Sequence, residues 1–406
     1  MRHTRKPSAK EIEWLRSAVI PIKSVEIRSD NSDLEYLGEN IKNAKVVALG
    51  EVTHGSSEIF KMKSKIIKYL VESKKFNIFA IEANMPEAYK LNEYIIEGKG
   101  DPKELIKGMI FWTWDTEEVL DLVNWMRDYN STHTKKVIFT GFDMQYPNSA
   151  LSEVKRLLNK YNYKNLSFSL DNLENTLGKV QNTLRNGIFY KIKEGSFKRE
   201  LVYIKRFGDK SIKSKSEKIW FFQCIKIIEQ SVKYNQGLHG YRRNYYRDKC
   251  MAENLLWIIK TNRKSSKVIV WAHNGHIQKT GGTMGYYLSK KLKQGYLTIG
   301  FSLNTGTYTA IYWKTMKLAA YKLRPSYPGT YEYYFHLASI PIFLLDFRQV
   351  DLENKESQWL RKKHYFRVTG AGFSPSAEFF KEQLLNDFDM IIFIDKSSHS
   401  RLLHKH

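Results

Sequence analysis

Residues 45–55, Lys-Val-Val-Ala-Leu-Gly-Glu-Val-Thr-His-Gly, join an apolar run to a short polar segment bounded by two glycines. The apolar half predicts a buried β-strand, and the glycines predict a turn directly after it. Glu51 and His54 lie in that turn, three residues apart. Parallel strands of α/β proteins carry functional groups at their carboxyl ends, and a nearby carboxylate can orient an imidazole as a base. The segment therefore predicts an α/β fold and a candidate catalytic pair.

Three later segments repeat this arrangement of an apolar run followed by titratable side chains. Residues 77–81 lead to Glu82, residues 137–142 to Asp143, and residues 268–272 to His273 and His276. The carboxyl ends of parallel strands meet at one edge of a sheet. We therefore expect five side chains to converge in one concave site: Glu51, His54, Glu82, His273 and His276. Asp143 has the alternative role of closing the turn before residues 145–147.

Helical patterns alternate with the strands. Helices are predicted over residues 58–73 and 87–97, and Asp115 with Glu118 predicts an N-cap box for a helix that continues to Arg127. Later strands are predicted at residues 297–301, 308–312, 341–346 and 390–394, and a loop at residues 314–334. The alternation predicts a mostly parallel sheet flanked by helices, in a three-layer α/β/α fold.

A long all-helical segment interrupts this alternation. Five helical patterns follow one another without strands, at residues 149–161, 170–186, 196–206, 216–234 and 241–261. We therefore predict a helical lead-in at 1–44, an α/β catalytic core at 45–148 and 262–406, and a helical insertion at 149–261 that covers the active-site cleft.

Composition restricts the class of protein. The 406 residues carry a formal net charge of +24 and 42% hydrophobic residues, which is ordinary for a globular protein. Residues 191–218 hold ten Lys/Arg against four acids, which indicates a solvated helical surface, or else attraction to an acidic substrate or surface. Nucleic-acid motifs are missing. Two cysteines exclude a disulfide framework, and the apolar run at residues 18–22 is too short for a signal-peptide core. We expect a cytoplasmic protein without a nucleic-acid or membrane partner.

The inventory of reactive groups favours attack by activated water. The sequence contains no G-x-S-x-G elbow, no P-loop motif and no strand-linked G-x-G-x-x-G. His273 and His276 form an H-x-x-H pair around Asn274-Gly275, a spacing that also occurs in metal sites. A base, acids and further imidazoles without a nucleophile suit hydrolysis of an ester or a similar bond.

Four segments together resemble the erythromycin esterase family: Gly50–Gly55, Ile81–Ala83, Gly141–Gln145 and Trp271–His276. The resemblance extends to residues 247–254, 343–346 and 388–389, and it covers roughly residues 40 to 396 in one consistent order. The motifs are specific for the family in combination. Some members of this family are labelled as succinoglycan biosynthesis proteins.

The resemblance implies an α/β core with a helical insertion, and hydrolysis of macrolide lactones by the characterised members, an antibiotic-resistance activity. It implies that His54 is the general base, that Glu51 orients it, and that water is the nucleophile without a metal or cofactor. It also places Glu82, His273 and His276 in the same site. Macrolide-cleaving members can carry an arginine where this chain has Lys63, and lysine lacks the planar guanidinium fork.

We therefore predict a carboxylic-ester hydrolase that acts on a small-molecule ester or macrolactone. Trp112 and Trp114 are expected as apolar walls of the cleft, and Arg247 as a source of positive charge. The predicted substrate-binding residues are Lys63, Trp112, Trp114, Asp143, Arg247 and Asn274. Two alternatives stay open. One is a metal-dependent hydrolase with His54, His273, His276 and Glu51 or Glu82 as ligands, and the other is a non-enzymatic module that binds a metal or haem through the same histidines.

Overall fold

We analysed a computed structural model of the chain, which describes residues 5–41, 43–161, 167–186, 194–236, 238, 240–374 and 376–405. The strands are β1 Ile20–Pro21, β2 Val46–Leu49, β3 Ile78–Asn84, β4 Ile138–Asp143, β5 Val268–Trp271, β6 Tyr296–Tyr312, β7 Lys317–Lys322, β8 Ile342–Asp346, β9 His364–Arg367, β10 Phe379–Glu382 and β11 Met390–Ser397. The first six α-helices are α1 Ala9–Ala18, α2 Glu35–Asn40, α3 Ser57–Lys74, α4 Met85–Glu97, α5 Pro102–Lys107 and α6 Glu117–Thr132. The remaining α-helices are α7 Asn148–Asn159, α8 Ser167–Asn186, α9 Glu194–Ser211, α10 Lys215–Asn235, α11 Gly240–Thr261, α12 Asn274–Ile277, α13 Met284–Leu292, α14 Tyr331–Leu337 and α15 Leu384–Asp387.

A mixed, mostly parallel sheet of nine strands organises the chain. Its order is β1-β8-β11-β6-β2-β5-β3-β4, with β7 paired to the far part of β6. Strands β11, β6, β2, β5 and β3 pair in parallel, whereas β8 runs antiparallel to β11 and β1 antiparallel to β8. All residues of β2, β3 and β5 are buried, as expected for central parallel strands that are rich in Val, Ile and Leu. The predicted α/β class and its mostly parallel sheet are confirmed.

Several local predictions were wrong. Residues 314–334 were predicted to be a loop, but they contain β7 and the start of α14. Strand β7 is an exposed edge strand with little apolar alternation, so its conformation depends on pairing with β6. The segments 297–301 and 308–312 belong to the single long strand β6. Helix α5 and the paired strands β9 and β10 had no prediction.

The predicted N-cap box at Asp115 was also wrong. Thr116 caps α6, since its hydroxyl accepts a hydrogen bond from the Val119 N–H at 3.3 Å, and the helix continues to Thr132. The Asp115 carboxylate instead pairs with His404 Nδ1 at 2.8 Å. Asp115 and Thr116 are both polar residues that can cap a helix, and the local sequence does not distinguish between them.

The chain divides into two compact units. The first comprises residues 1–82, 91–140 and 255–406, and the second residues 83–90 and 141–254. The second unit contains α7 to α10 and most of α11, a run of helices as expected for an insertion. The predicted boundaries at 148/149 and 261/262, and the covering of the cleft, stay predictions. Among the described residues, no helix has the length and apolar character needed to cross a membrane.

Candidate active site

Three neighbouring strands of the first unit supply the titratable cluster. Leu49 of β2 and Ile81 of β3 both lie beside Trp271 of β5 in the parallel register. Glu51 therefore follows β2, Glu82 lies near the end of β3, and His273 follows β5, all at one edge of the sheet.

Close approach of other chain segments explains the two glycines that flank the first motif. A Cβ atom at Gly50 would lie 2.0 Å from Asn274 Oδ1, and one at Gly55 would lie 1.9 Å from the Thr309 carbonyl oxygen. Ser56 then caps α3 by accepting a hydrogen bond from the Ile59 N–H. The segment that carries Glu51 and His54 is thus held between a strand and a capped helix.

The Glu51 carboxylate is fully buried and accepts hydrogen bonds from three elements. His54 Nδ1 lies 2.6 Å from Oε1, while Lys63 Nζ and Trp271 Nε1 each lie 2.7 Å from Oε2. Burial by itself disfavours ionisation, but the Lys63 ammonium and the hydrogen bond from His54 outweigh it and hold the pKa of Glu51 below its ordinary value. An ionised carboxylate only accepts, so His54 Nδ1 carries the proton and Nε2 is the basic nitrogen.

Lys63 acts on this cluster from within the protein. Its side chain is completely buried, and its ammonium lies over the Trp271 ring, 4.2 Å from the centroid. Burial lowers the pKa of Lys63 to about 8, although Glu51 favours the charged form. The predicted substrate contact of Lys63 is therefore replaced by an ion pair with Glu51.

His273 has both ring nitrogens occupied by the backbone. Nδ1 accepts the Gly275 N–H at 3.1 Å, and Nε2 lies 3.2 Å from the Val52 carbonyl oxygen. A neutral ring with its proton on Nε2 satisfies both contacts. Burial, reinforced by His54 and His276, lowers the pKa of His273 to about 3. This ring stays neutral and oriented near pH 7.

Glu82 and His276 form a second carboxylate–imidazole pair. His276 Nε2 lies 3.2 Å from Glu82 Oε1, and Glu82 Oε2 accepts the His273 backbone N–H at 2.9 Å. His276 approaches Glu82 because residues 274–277 form a single helical turn, with His273 as its N-cap. The turn predicted at Asn274-Gly275 is thus helical.

The three histidine rings lie side by side. The His54 and His273 centroids are 5.3 Å apart, and those of His273 and His276 are 6.4 Å apart. His54 and His276 retain side-chain exposures of 12% and 19%, so solvent reaches both. The structure therefore brings Glu51, His54, Glu82, His273 and His276 into one cluster, and their catalytic roles stay a proposal.

Trp114 borders the cluster from the interior. Its ring lies edge-on to His54 with centroids 6.0 Å apart, and its Nε1 donates to the Glu82 carbonyl oxygen at 3.1 Å. The ring is buried, and so is that of Trp112. A role as walls of the cleft stays a prediction for both tryptophans.

Asn274 has a structural role. Its side-chain amide forms two hydrogen bonds with the Phe301 backbone, at 2.7 Å and 3.1 Å, and its own N–H donates to the Glu51 carbonyl oxygen. The amide is buried and committed to β6, so the predicted substrate contact through Asn274 is replaced by this link between α12 and β6.

Asp143 and Arg247 pair with each other within the second unit. Arg247 donates to both carboxylate oxygens, with Nε at 3.2 Å from each and Nη2 at 2.8 Å from Oδ2. Asp143 also accepts the Met144 N–H and the Gln145 side-chain amide. The turn-closing role of Asp143 is therefore present, and substrate contact by either residue stays a prediction.

Sequence reasoning missed two contributors to the site. Trp271 is assigned to an apolar strand and to the motif segment Trp271–His276, without a contact to Glu51, and residues 369–370 carry no motif. Gly370 accepts the His54 N–H at 3.1 Å through its carbonyl oxygen, while the Thr369 and Gly370 N–H groups donate to the Val52 carbonyl oxygen. These contacts join segments more than 300 residues apart, so no local pattern reveals them.

The described residues contain no group of three or more His, Cys, Asp or Glu side chains arranged to hold a metal ion. The cluster instead consists of carboxylate–imidazole pairs in which Lys63 and the backbone occupy positions around the carboxylates.

Sequence comparison identifies relatives of the chain. The sequence model described as Erythromycin esterase matches residues 71–397, a range that begins after Glu51 and His54. The chain is 28% identical over 328 residues to the Bacillus subtilis protein YbfO, which is named as a hydrolase, with 72% of each chain covered. It is 25% identical over 339 residues to erythromycin esterase type II of Escherichia coli, covering 74% of this chain and 78% of that protein.

Solved structures agree with the fold. A Bacillus cereus protein aligns with a TM-score of 0.85 at 26% identity, covering 98% of this chain and all of the other. A protein described as a succinoglycan biosynthesis protein aligns with a TM-score of 0.83 at 27% identity, covering 97% and 98%. A mutant of the erythromycin esterase EreC, in its open conformation, aligns with a TM-score of 0.73 at 17% identity, covering 94% of this chain and 98% of the other, which shows a common fold.

Proposed function

The chain belongs to the erythromycin esterase family, and we propose that it is a carboxylic-ester hydrolase in which His54 activates water without a metal or cofactor. Membership of this family supports hydrolase activity. The ester substrate, the mechanism and the residue roles are parts of the proposal.

One observation carries the mechanism: the Glu51–His54 contact of 2.6 Å, with Lys63 and Trp271 on the other carboxylate oxygen. This arrangement fixes the proton on His54 Nδ1 and presents Nε2 as the base. Because the ring is partly exposed, water can reach it.

The reaction follows from that tautomer. Nε2 removes a proton from water while the water oxygen bonds to the ester carbonyl carbon, which gives a tetrahedral oxyanion and an imidazolium. The negative charge of Glu51 stabilises that imidazolium. Collapse of the oxyanion breaks the bond to the alcohol oxygen, and the imidazolium returns its proton to the departing alkoxide. Carboxylic acid and alcohol leave, and His54 is again neutral.

The second pair has a distinct role. His276 Nε2 lies 3.2 Å from Glu82 Oε1, and the His276 ring lies beside that of His273, with centroids 6.4 Å apart. We assign His276, held by Glu82, to hydrogen bonding with the substrate ester. His273 orients its neighbours, because both of its nitrogens are engaged by the backbone.

Substitution of His54 tests the proposal. With p-nitrophenyl acetate and a panel of macrolides as substrates, His54→Ala should lower kcat by roughly 10²–10⁴-fold, the usual contribution of a general base. Macrolides belong in the panel because a relative carries the name erythromycin esterase type II. His133→Ala, at an exposed histidine at the end of α6, is the matched control. Turnover near the wild-type rate in folded His54→Ala would exclude His54 as the base.

A further inference from the structure

The hairpin formed by β6 and β7 presents apolar side chains at its tip. Trp313 and Met316 lie in the turn between Tyr312 and Lys317, and they are 57% and 65% exposed. A single exposed apolar residue is ordinary on a protein surface. Two on one turn form a local apolar surface, and such surfaces bind apolar groups when they border a cleft.

The base of this hairpin is bonded to the segment that carries His54. Thr309 N–H donates to the Gly55 carbonyl oxygen at 2.9 Å. Gly55 has no room for a side chain there, since an added Cβ would lie 1.9 Å from the Thr309 carbonyl oxygen. The hairpin therefore rises directly beside the turn that contains the proposed base.

A second connection runs through residues 370–373. Gly370 accepts the His54 N–H, Ala371 accepts the Ile311 N–H at 2.9 Å, and Phe373 N–H donates back to the Ile311 carbonyl oxygen. The Trp313 indole lies against Gly372, where an added Cβ would be 2.2 Å from Nε1. Two residues of extended chain span at most about 7 Å. Gly370 therefore contacts the His54 backbone and Gly372 contacts the Trp313 indole. Only this two-residue path separates Trp313 from the segment that carries His54.

The positive charge of the hairpin indicates which class of ligand it can bind. Residues 305–330 contain four basic residues, Lys314, Lys317, Lys322 and Arg324, and no Asp or Glu. Lys314, directly after Trp313, and Lys317, directly after Met316, are both exposed. Apolar surface beside the exposed lysines favours amphiphiles that carry a negative charge.

We propose that Trp313 and Met316 bind the apolar part of the substrate, and that the natural substrate is an ester with an extended hydrocarbon part and an anionic group. This inference rests on the proposed esterase function, whose site the hairpin borders. Trp313 and Met316 set specificity, while bond cleavage depends on the His54 cluster. Lys314 and Lys317 attract the anionic group.

Ester chain length tests the apolar contact. For wild type, KM should be lower for p-nitrophenyl decanoate than for p-nitrophenyl acetate. Trp313→Ala should reduce the ratio of the acetate KM to the decanoate KM roughly tenfold, the change expected when about 50 Å² of apolar contact is lost. Phe380→Ala, which removes an exposed aromatic residue of β10, should retain the wild-type preference. An unchanged preference in Trp313→Ala would overturn the proposal.

A charged probe and a binding measurement complete the test. The mono-p-nitrophenyl ester of decanedioic acid adds a carboxylate, and Lys314→Gln/Lys317→Gln should raise its KM severalfold and weaken its dependence on salt. An equal change in KM for p-nitrophenyl decanoate and for the decanedioic acid monoester would overturn the role of the lysines. Calorimetric titration with decanoate separates binding from turnover. If wild type cleaves no ester but Trp313→Ala weakens decanoate binding, the esterase proposal fails and the binding surface stands, whereas equal binding by both proteins refutes the surface.

Discussion

At the residue scale, Glu51 is the side chain on which the proposed chemistry depends. It is buried and ionised because Lys63, Trp271 and His54 supply donors from a helix, a strand and a turn. A buried carboxylate without such partners would be protonated, and a neutral carboxyl group would no longer fix the His54 tautomer. Lys63 is therefore a positioning residue that acts through Glu51.

Substitution of Lys63 should affect both the rate and its pH dependence. Lys63→Met removes the charge and should lower kcat/KM by roughly 10–100-fold, by analogy with the loss of a residue that orients a metal-ligating side chain. Lys63→Arg keeps the charge and should restore most of the activity. Since the pKa of Lys63 is about 8, deprotonation should reduce wild-type activity above that pH. In Lys63→Arg the decline should move to higher pH, because arginine stays protonated. Identical pH profiles would assign the alkaline decline to another group.

The strand-end pattern predicted the members of the cluster because sequence records which residues follow buried parallel strands. It did not predict that Lys63 points inward to Glu51, since a lysine in an amphipathic helix ordinarily faces solvent. Nor did it predict that the backbone engages both nitrogens of His273. Those contacts depend on Val52 and Gly275 as placed by the assembled sheet.

At the element scale, the capping of α6 shows that tertiary contacts also limit what the local sequence predicts. The amino end of this helix meets the C-terminal segment of the chain: Thr116 bridges to Leu402, Arg401 N–H lies 3.2 Å from Glu118, and His404 contacts Asp115. Tertiary contacts therefore engage Asp115 and Glu118, and Thr116 is the cap. The strands at 46–49 and 268–271 were predicted correctly because burial of every side chain leaves a continuous apolar run.

The cap can be tested by removing one oxygen atom. Thr116→Val preserves the shape of the buried side chain but cannot accept the Val119 N–H, so it should lower the free energy of unfolding by about 1 kcal/mol. Thr116→Ser retains the hydroxyl and should lose less. Urea denaturation of the three proteins measures both values. If Asp115→Asn were instead the more destabilising change at pH 7 and Thr116→Val neutral, the cap would be misassigned.

At the scale of the whole molecule, several buried carboxylates are paired with buried cations. Lys63 pairs with Glu51, Lys65 with Asp33, and Arg367 with Glu378, all with buried side chains. Glu332 shares Arg367 with Glu378. Its Oε1 accepts the Arg367 backbone N–H at 2.8 Å, and burial raises the pKa of Glu332 to about 7 despite the nearby guanidinium.

This raised pKa predicts how stability depends on pH. Between an unfolded pKa near 4.5 and a folded pKa of about 7, the folded state binds more protons, so the contribution of Glu332 is present below pH 4.5 and is lost as pH rises through 7. His273 has the opposite effect, since its folded pKa of about 3 makes the protein less stable as pH falls below about 6.5. The two effects overlap, and the wild-type curve alone does not separate them.

Glu332→Gln isolates the contribution of Glu332. Glutamine keeps the shape and cannot ionise, so the stability of this variant relative to wild type should rise by about 2.5 kcal/mol between pH 5 and pH 8. Urea denaturation at several pH values measures that difference. Glu353→Gln, at an exposed carboxylate paired with Arg361, should give a difference that is nearly independent of pH. A Glu332→Gln difference that is equally flat would mean that Glu332 is already ionised in the folded protein at pH 5, with Arg367 sufficient to neutralise two buried carboxylates.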